Sequence, residues 1–355
     1  MLTNFPDIYV QQKRNRRATA LIMAVFIAFF AFLGFGFDLF YLGIDPLGIM
    51  GDPTAMPPIA TLIALIVGSA AAAWGLQGGS QAVMNSAHAV PVPESDPKYQ
   101  TLRNVVDEMT IASGLPRPRV YIIPDPDPNA MATGKDPAHA TLAVTEGLLS
   151  SVNREELQGV IAHEMSHVKN YDIRVMTVTA ALVGAIFLLS DWGTRIMRFG
   201  GSGTGRTKGS SRSRINLGPA GAVIFIIWLL ALILAPIISQ LLAMAVSRQR
   251  EYLADAAGAE LTRNPLALAN ALEKIDSAPS PTESIKRGSA HLCIVDPLGR
   301  RMNLKEGKFA DLFGTHPPIM KRIELLKAMG YQFSGRGAAP GPSINPPSSL
   351  IRGTS

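Results

Sequence analysis

Two long uncharged runs near the amino terminus constrain this chain more than any other feature of its sequence. Neither Ala18–Phe37 nor Pro58–Gln77 contains a charged residue. A helix of about 20 apolar residues rises far enough to cross the ~30 Å hydrocarbon core of a bilayer. Only 17% of the whole chain is charged, against ~25% in a typical soluble domain. We therefore predict a transmembrane hairpin over residues 18–77.

The charges around the first run predict how this hairpin is oriented. A basic cluster precedes the run, and the loop after it is acidic, without any Lys or Arg: Lys13, Arg14, Arg16 and Arg17 against Asp38, Asp45 and Asp52. By the positive-inside rule, residues 1–17 form a cytoplasmic lead, and the chain returns to the cytoplasm from about Gly78. A signal peptide is the poorer interpretation, because its apolar region is about 7–15 residues long and no small-residue cleavage site follows here.

Two further apolar runs follow, Val175–Ser190 and Gly218–Val246. The first is barely long enough to span a bilayer, and the second is long enough to span with tilt. The segment between them carries several Arg and Lys residues against one acid, Asp191. This pattern favours the cytoplasm, although two complete spans would place the segment outside. The conflict would be resolved if the two runs entered the membrane without crossing it or lay at its surface. The alternative is that both runs are core helices of a soluble domain.

The rest of the chain predicts a small α+β domain. Apolar residues at helical spacing over 98–114 predict one amphipathic helix. Val120–Ile123 and Thr141–Val144 are β-leaning runs separated by turn residues, so they predict two strands of a small sheet. The segment 334–355 is rich in Gly, Pro and Ser, which predicts a disordered tail. The single cysteine, Cys293, cannot form an internal disulfide, which excludes a disulfide-stapled extracellular domain.

The segment His163-Glu164-Met-Ser-His167 places two histidines four residues apart. Asn153 and Glu156 have the spacing of a capping box, which predicts that a helix starts there. Two imidazoles at i and i+4 share one helix face and can bind one tetrahedral zinc ion, with Glu164 beside the open position. Two ordinary surface histidines are the alternative, but this motif rarely arises by chance. The spacing therefore predicts a catalytic zinc site.

A catalytic zinc with two histidine ligands needs a third protein ligand. Glu251 and Asp255 are again four residues apart, so one carboxylate can bind zinc while the other accepts the N–H of a ligand histidine. The alternative is a solvated helix in which these acids pair with Arg248 and Arg250. A zinc ion with an open position activates water for attack on an amide carbonyl, and Glu164 is placed to take the proton.

Five segments, in this order, resemble the HtpX-type membrane-bound zinc metalloproteases, relatives of the CAAX prenyl proteases. The likeness covers roughly residues 101–330 and rests on the segments 128–134, 143–149, 162–172, 247–255 and 315–318. It implies a mainly α, α+β fold, in which membrane-embedded helices carry a gluzincin-like zinc metalloprotease domain with a small β-sheet. It also implies one Zn²⁺ per chain, bound by His163, His167 and Glu251. Glu164 would be the general base, and Asp255 would accept a hydrogen bond from a ligand histidine.

Further site residues follow from the resemblance alone. It places His316 and Arg322 near the metal, where they would stabilise the tetrahedral oxyanion. A His before Pro-Pro is equally typical of a turn that packs a loop, and this alternative stays open. The substrate-binding edge of the family corresponds to Asn129 and to the strand with Thr141 and Ala143, where a peptide would add as an extra strand.

These patterns together predict a multi-pass membrane protein that is a zinc endopeptidase, and the resemblance implies that its membrane is the bacterial inner membrane. Its metalloprotease domain, residues 78–333, is interrupted by the two further apolar runs and faces the cytoplasm. The partners are the lipid bilayer and polypeptides, and the resemblance implies proteolytic quality control of unfolded or damaged membrane proteins. A specific processing protease and a membrane scaffold with a structural zinc are the alternatives. No nucleic-acid partner is expected, because the basic loop lacks aromatic stacking residues, and the oligomeric state is left open.

Overall fold

The computed structural model describes residues 8–49, 53–199, 222–230, 248–278, 282–297 and 316–337. The described part is mainly helical and carries one small sheet, which confirms the predicted fold class. Most of the fourth apolar run and the predicted tail from residue 338 onward lie outside the described residues.

The first two helices form the predicted hairpin. Helix α1 covers Ile8–Phe37 and continues into a π-helical turn, Asp38–Leu42, and α2 covers Ile59–Ser86. The buried Asp38 carboxylate accepts hydrogen bonds from the backbone N–H and the hydroxyl of Thr61, at 2.8 and 2.7 Å. Because the first N–H groups of a helix lack partners within it, this carboxylate caps α2 and interacts favourably with its dipole. The acid at position 38 therefore closes the hairpin.

Both helices are long and apolar enough to cross a membrane, and their sides are open rather than packed. Only 22% of the most apolar stretch of the first helix and 17% of that of the second are buried. Leu21, Ile63 and Ile66 are each more than half exposed. Exposed side chains of this size are unfavourable in water but not in lipid. These two helices are therefore the candidate membrane spans of the described part of the chain.

The third apolar run, 175–190, lies inside α6, which covers Asp172–Phe199. Leu182 of this helix is buried in a cluster with side chains of both membrane helices. Gly79 of α2 permits a close approach, because a Cβ there would lie 3.1 Å from the Thr177 side chain. The first half of α6 thus packs on the hairpin, and the way in which this run is seated relative to the membrane stays a prediction.

Only residues 222–230 of the fourth run are described, and they form helix α7. Trp228 donates its Nε1–H to the carbonyl oxygen of Leu33 at 3.1 Å. Its ring lies 5.9 Å from the ring of Phe40, between centroids. Helix α7 therefore packs against the end of α1 that leads into the acidic loop.

The sheet has four strands in the order β1–β2–β4–β3, which cover Val90–Pro91, Arg119–Ile123, Thr141–Thr145 and Ala130–Thr133. The two predicted strands, β2 and β4, are confirmed and pair in parallel. Strand β1 pairs antiparallel with β2, and β3 pairs antiparallel with β4. The two outer strands escaped prediction because β1 is too short for a pattern and β3 consists largely of small residues.

Strand β4 is interior, between β2 and β3, so its backbone groups are paired on both sides. No peptide can add beside Thr141 or Ala143, and the prediction of a sheet edge there is wrong. Asn129 is fully buried, and its side-chain Nδ2 donates to the carbonyl oxygen of Val295 at 3.1 Å. It therefore ties a loop to the sheet. The edge nearest these residues belongs to β3.

The described part contains six further α-helices. Helices α3, α4 and α5 cover Gln100–Ser113, Glu146–Ser151 and Arg154–Lys169. Helices α8, α9 and α10 cover Arg248–Thr262, Pro265–Asp276 and Ile319–Gly337. The amphipathic helix α3 is confirmed, and α10 extends past the predicted start of the tail at residue 334. The capping box of α5 is confirmed by two hydrogen bonds between Asn153 and Glu156, at 2.9 and 2.8 Å. Helix α5 is buried along most of its length.

A short 3₁₀ helix, Arg287–Leu292, lies against α6 and carries a buried histidine. The Nε2–H of His291 donates to the carbonyl oxygen of Met176 at 3.0 Å. Burial lowers the pKa of His291 to about 4, because an imidazolium ion would lose its hydration there. The folded protein therefore holds this ring neutral.

We predict that His291 makes the fold acid-sensitive. An unfolded histidine titrates near 6.5, so between pH 6.5 and 4 the unfolded state binds the extra proton and stability falls as the pH is lowered. His291→Gln keeps an N–H for the Met176 carbonyl and should remove this part of the pH dependence. Thermal unfolding midpoints of both proteins over this pH range are the measurement. An equal acid-induced loss in both would contradict the prediction.

Candidate metal centre

Helix α5 presents His163, Glu164 and His167, and α8 presents Glu251 opposite them. The Nε2 atoms of His163 and His167 lie 3.6 and 3.5 Å from the two carboxylate oxygens of Glu251. The two imidazole rings are nearly perpendicular, with 4.9 Å between their centroids. Ligand atoms of the two histidines and Glu251 lie within 4.8 Å of one another, and all three residues are buried. The structure thus brings together the three predicted ligands.

Several polar atoms of this cluster are buried without a hydrogen-bond partner in the described part of the chain. They include Nε2 of His163, Oε2 of Glu251 and both carboxylate oxygens of Glu164. Unpaired buried polar atoms cost free energy, so native proteins satisfy them with hydrogen bonds, water or ions. Two imidazole nitrogens and one carboxylate oxygen are the donor set of a divalent transition-metal site with an open position. The cluster therefore fits a metal ion.

The other ring nitrogen of each histidine faces a carboxylate. His163 Nδ1 lies 3.0 Å from Asp255 Oδ1, and His167 Nδ1 lies 3.1 Å from Asp172 Oδ2. A carboxylate at Nδ1 favours the tautomer in which Nε2 carries the lone pair, so that Nε2 of each histidine would be free to bind a metal ion. The sequence predicts this position for Asp255, whereas it does not indicate a role for Asp172.

Asp172 reaches His167 through the turn between α5 and α6. Tyr171 adopts a left-handed backbone conformation with φ 61°, and Asp172 is the first residue of α6. An offset of five residues is not a neighbour spacing on a helix, so no periodic signal marks this pair. The only signal in the sequence is an acid shortly after the second histidine.

Arg322 of α10 is fully buried and binds Asp255 through two donors, because Nε and Nη2 each donate to its carboxylate at 2.8 Å. Its Nη1 donates to the carbonyl oxygen of Ile294 at 2.7 Å and lies 3.5 Å from Glu251 Oε2. Although burial alone would lower it, the Asp255 carboxylate holds the pKa of Arg322 above its usual value. Arg322 therefore orients Asp255, and its contact with an oxyanion stays a prediction.

His316 is buried near this cluster, and its Nε2–H donates to the carbonyl oxygen of Cys293 at 2.6 Å. A neutral imidazole has one N–H group, so Nδ1 then carries no hydrogen. Burial lowers the pKa of His316, which keeps the ring neutral near pH 7. In this state His316 has no second N–H for an oxyanion. The contact agrees with a residue that packs a loop, and the oxyanion role stays a prediction.

Neighbouring carboxylates set the charge of the ligand histidines. Although burial alone would lower it, Asp255 and Glu251 raise the pKa of His163 to about 9. The pKa of His167 is also raised against the effect of burial, by Asp172 and Glu251. Although burial would raise it, the two imidazoles and Arg322 hold the pKa of Glu251 well below its usual range. Because a histidine must be neutral to bind a metal, binding of a metal ion would displace protons from this cluster.

Helix α8 packs directly on α5 at Gly258. A Cβ at this position would lie 3.0 Å from the backbone nitrogen and 3.2 Å from the Cα of His163. Backbone atoms cannot move aside as a flexible side chain can, so a Cβ at this position would push the two helices apart by a few tenths of an ångström. The distance between Glu251 and the two histidines depends on it.

We predict that Gly258→Ala separates the two helices, lowers the free energy of unfolding by about 1–3 kcal/mol and weakens metal binding. The matched control is Gly184→Ala in α6, because a Cβ there has nothing within 4 Å. The measurements are the unfolding midpoint and the bound metal per chain after dialysis. If both variants matched the unmodified protein, the close approach at Gly258 would not matter for the site.

Comparisons with known proteins agree with this geometry. The model of peptidase family M48 matches residues 97–330. A Protease HtpX homolog of Caldanaerobacter subterraneus subsp. tengcongensis is 40% identical over 324 residues, which cover 91% of this chain and 98% of the relative. A Protease HtpX homolog of Ligilactobacillus salivarius is 40% identical over 323 residues, 91% of this chain and 100% of the relative. A Protease HtpX homolog of Thermoanaerobacter pseudethanolicus is 47% identical over 238 residues, which cover 67% of this chain and 75% of the relative.

Among solved structures, the crystal structure of S. mikatae Ste24p aligns with a TM-score of 0.45 and 17% identity, over 89% of this chain and 67% of that one. The predicted resemblance to HtpX-type proteases is confirmed by the family match and by relatives that align over nearly their whole length. Peptidases of this family are metalloproteases, and the structure supplies a buried His-His-Glu cluster for the metal. The chain belongs to peptidase family M48 and is a membrane metalloprotease similar to the Protease HtpX homologs.

Proposed function

We propose that this chain is a zinc endopeptidase that hydrolyses peptide bonds of unfolded or damaged membrane proteins at the cytoplasmic face of the membrane. The observation that carries the proposal is Glu164. Its carboxylate is buried beside the ligand cluster, and neither oxygen has a hydrogen-bond partner among the described residues. Metal-assisted hydrolysis requires a carboxylate that is free to accept and return a proton at such a place.

The proposed chemistry divides the work between the metal and the side chains. His163, His167 and Glu251 would hold the zinc ion through the nitrogen and oxygen donors that zinc prefers. When bound, zinc supplies a Lewis acid that polarises the scissile carbonyl and makes water more acidic. Glu164 takes a proton from the attacking water and later delivers it to the leaving amine. Asp255 and Asp172 keep the histidines in the tautomer that binds the metal.

The charges around Glu164 suit a general base. Burial raises the pKa of this carboxyl group, while the histidines beside it lower it. A divalent cation at the cluster would favour the ionised form further, because bound cations are the largest local charges in such a site. Glu164 would then be a carboxylate that has lost its hydration and accepts a proton readily.

The proposed cytoplasmic orientation is supported by contacts at the basic end of α1. Gln12 Nε2 donates to the carbonyl oxygen of Lys169 at 2.9 Å, and the guanidinium of Arg16 lies 4.6 Å from the ring centroid of Tyr171. The two contacted residues, Lys169 and Tyr171, come shortly after the ligand His167 in the sequence. Because the basic end of a membrane helix faces the cytoplasm, the metal centre next to it would lie on the same side. A site at this depth would reach segments of membrane proteins close to the bilayer surface.

A specific processing protease would use the same site and differ only in the range of its substrates. A scaffold with a structural zinc is less well supported. Structural zinc sites are closed by four protein ligands, whereas the described residues group three potential ligands around this position. A buried Glu164 without a partner would also serve no purpose in a scaffold.

We predict that Glu164→Gln keeps the metal and abolishes cleavage, because the amide has the size of the carboxylate but cannot accept the proton. The measurement compares zinc content and cleavage of an unfolded protein by full-length chains purified in detergent. The control is Glu155→Gln, since Glu155 is exposed on the same helix and should cut at the rate of the unmodified protein. Cleavage by Glu164→Gln at an unchanged rate would overturn the proposed role. If the unmodified protein bound zinc but cut nothing, the scaffold would be the better explanation.

We predict opposite labelling of two exposed positions in intact cells. Leu47 lies in the acidic loop and is 70% exposed, and Ile111 lies on α3 and is 83% exposed. A membrane-impermeant maleimide should label Leu47→Cys and leave Ile111→Cys unlabelled until the cells are opened. The single native cysteine, Cys293, is buried and gives a low background. The reverse pattern would place the metalloprotease part outside.

A further inference from the structure

We propose that Asn15 on the first membrane helix is a positioning residue of the metal centre, so that α1 is part of this site as well as an anchor. The proposal rests on the zinc site described above and extends it by one residue. Asn15 is 1% exposed, although it lies in a segment with four basic residues that was predicted to be a cytoplasmic lead. Buried amides need partners, and the partners of this amide lead to the metal ligands.

The contacts form a chain of three side chains. Asn15 Nδ2 donates to Asp172 Oδ1 at 2.7 Å and to the carbonyl oxygen of Asn170 at 2.8 Å. The second oxygen of Asp172, Oδ2, lies 3.1 Å from His167 Nδ1. The two oxygens of one carboxylate thus serve different partners, one on the membrane helix and one at the metal ligand.

The orientation of the amide follows from these partners. Both acceptors of Asn15, a carbonyl and a carboxylate, lack hydrogens, so only the NH₂ group can face them. Its two N–H groups are then both used, and the Asp172 carboxylate is held on one side. With that carboxylate held, His167 Nδ1 is the donor and Nε2 faces Glu251 with its lone pair.

Arg250 competes with Asn15 for the Asp172 carboxylate. The Nε atom of Arg250 lies 3.7 Å from Asp172 Oδ1, the same oxygen that accepts from Asn15. Without the amide, this carboxylate would be attracted toward the Arg250 guanidinium, because charge-assisted bonds are stronger than neutral ones. The contact between Asp172 and His167 would then loosen.

The position of Asn15 is set by one face of α1. Gln12 contacts Lys169, Arg16 contacts Tyr171, and Thr19 Oγ1 donates to the carbonyl oxygen of Asn15 at 3.0 Å. These residues follow the i, i+3, i+4, i+7 spacing of a single helix face. Gln12, Asn15 and Arg16 contact the turn between α5 and α6, where the last carbonyl groups of α5 lack partners within the helix. The Thr19 contact lies within α1. A shift of α1 along its axis would remove the amide from Asp172.

The test uses the full-length protein in detergent, a chromophoric chelator that competes for zinc, and Co²⁺ as a spectroscopic probe. We expect Asn15→Ala to raise the zinc Kd about 10-fold, as changes behind a metal ligand do, and to alter the visible Co²⁺ spectrum. Asn15→Asp should weaken zinc binding further, because it places a second carboxylate beside Asp172. The matched control is Asn85→Ala, the same change at an exposed amide of α2. Its zinc Kd and Co²⁺ spectrum should stay unchanged.

A merely structural role of Asn15 is excluded by combining variants. If Asn15 acts through Asp172, then Asn15→Ala should have no further effect on zinc binding in an Asp172→Ala protein, since coupled residues are not additive. An equal loss with and without Asp172 would overturn the proposal. If Asn15→Ala fails to fold, Asn15→Ser takes its place, because its hydroxyl keeps one donor.

The outcomes separate this inference from the proposed function. If the unmodified protein does not bind zinc, the proposed function itself fails. If it binds zinc and cuts, and Asn15→Ala has the same zinc Kd and the same Co²⁺ spectrum, only the role of Asn15 is overturned. A raised Kd that depends on Asp172 supports α1 as part of the metal centre.

Discussion

The metal centre depends on the packing of α5 between two other helices. Gly258 lets α8 approach the backbone of His163, and Gly159, on α5 itself, lets α9 approach at Leu268. The first contact places Glu251 opposite the two histidines, and the second belongs to the hydrophobic core. Because the same helix carries the ligands and fills the core, the stability of the core and the geometry of the site cannot vary independently.

The second requirement is a balance of buried charge. Glu251, Asp255 and Asp172 are all buried, and buried carboxylates are costly unless they are paired and hydrogen-bonded. Arg322 contacts the first two acids, and Arg250 and Asn15 contact the third. A metal ion would add positive charge at the centre of this arrangement. The protein thus surrounds a cation site with buried acids that contact arginines and one amide.

The membrane hairpin and the metalloprotease part are joined by more than a linker. The basic end of α1 contacts the turn that follows His167, and α6 packs on both membrane helices. Near the carboxyl end of α2, the hydroxyl groups of Ser80 and Thr133 share a buried hydrogen bond of 2.7 Å, which joins this helix to strand β3. The helices that anchor the chain therefore also support the sheet and the site.

The sequence by itself determined the features that depend on neighbouring residues. The hairpin follows from length and apolarity, the shared face of His163 and His167 from the helical period, and the start of α5 from its capping box. Only the tertiary structure decided that β4 is interior, that Asp172 lies behind His167, and that Asn15 lies behind Asp172. These contacts join segments that are far apart in the sequence or separated by a turn. Helical or strand periodicity cannot predict them, because only packing of the folded chain brings such residues together.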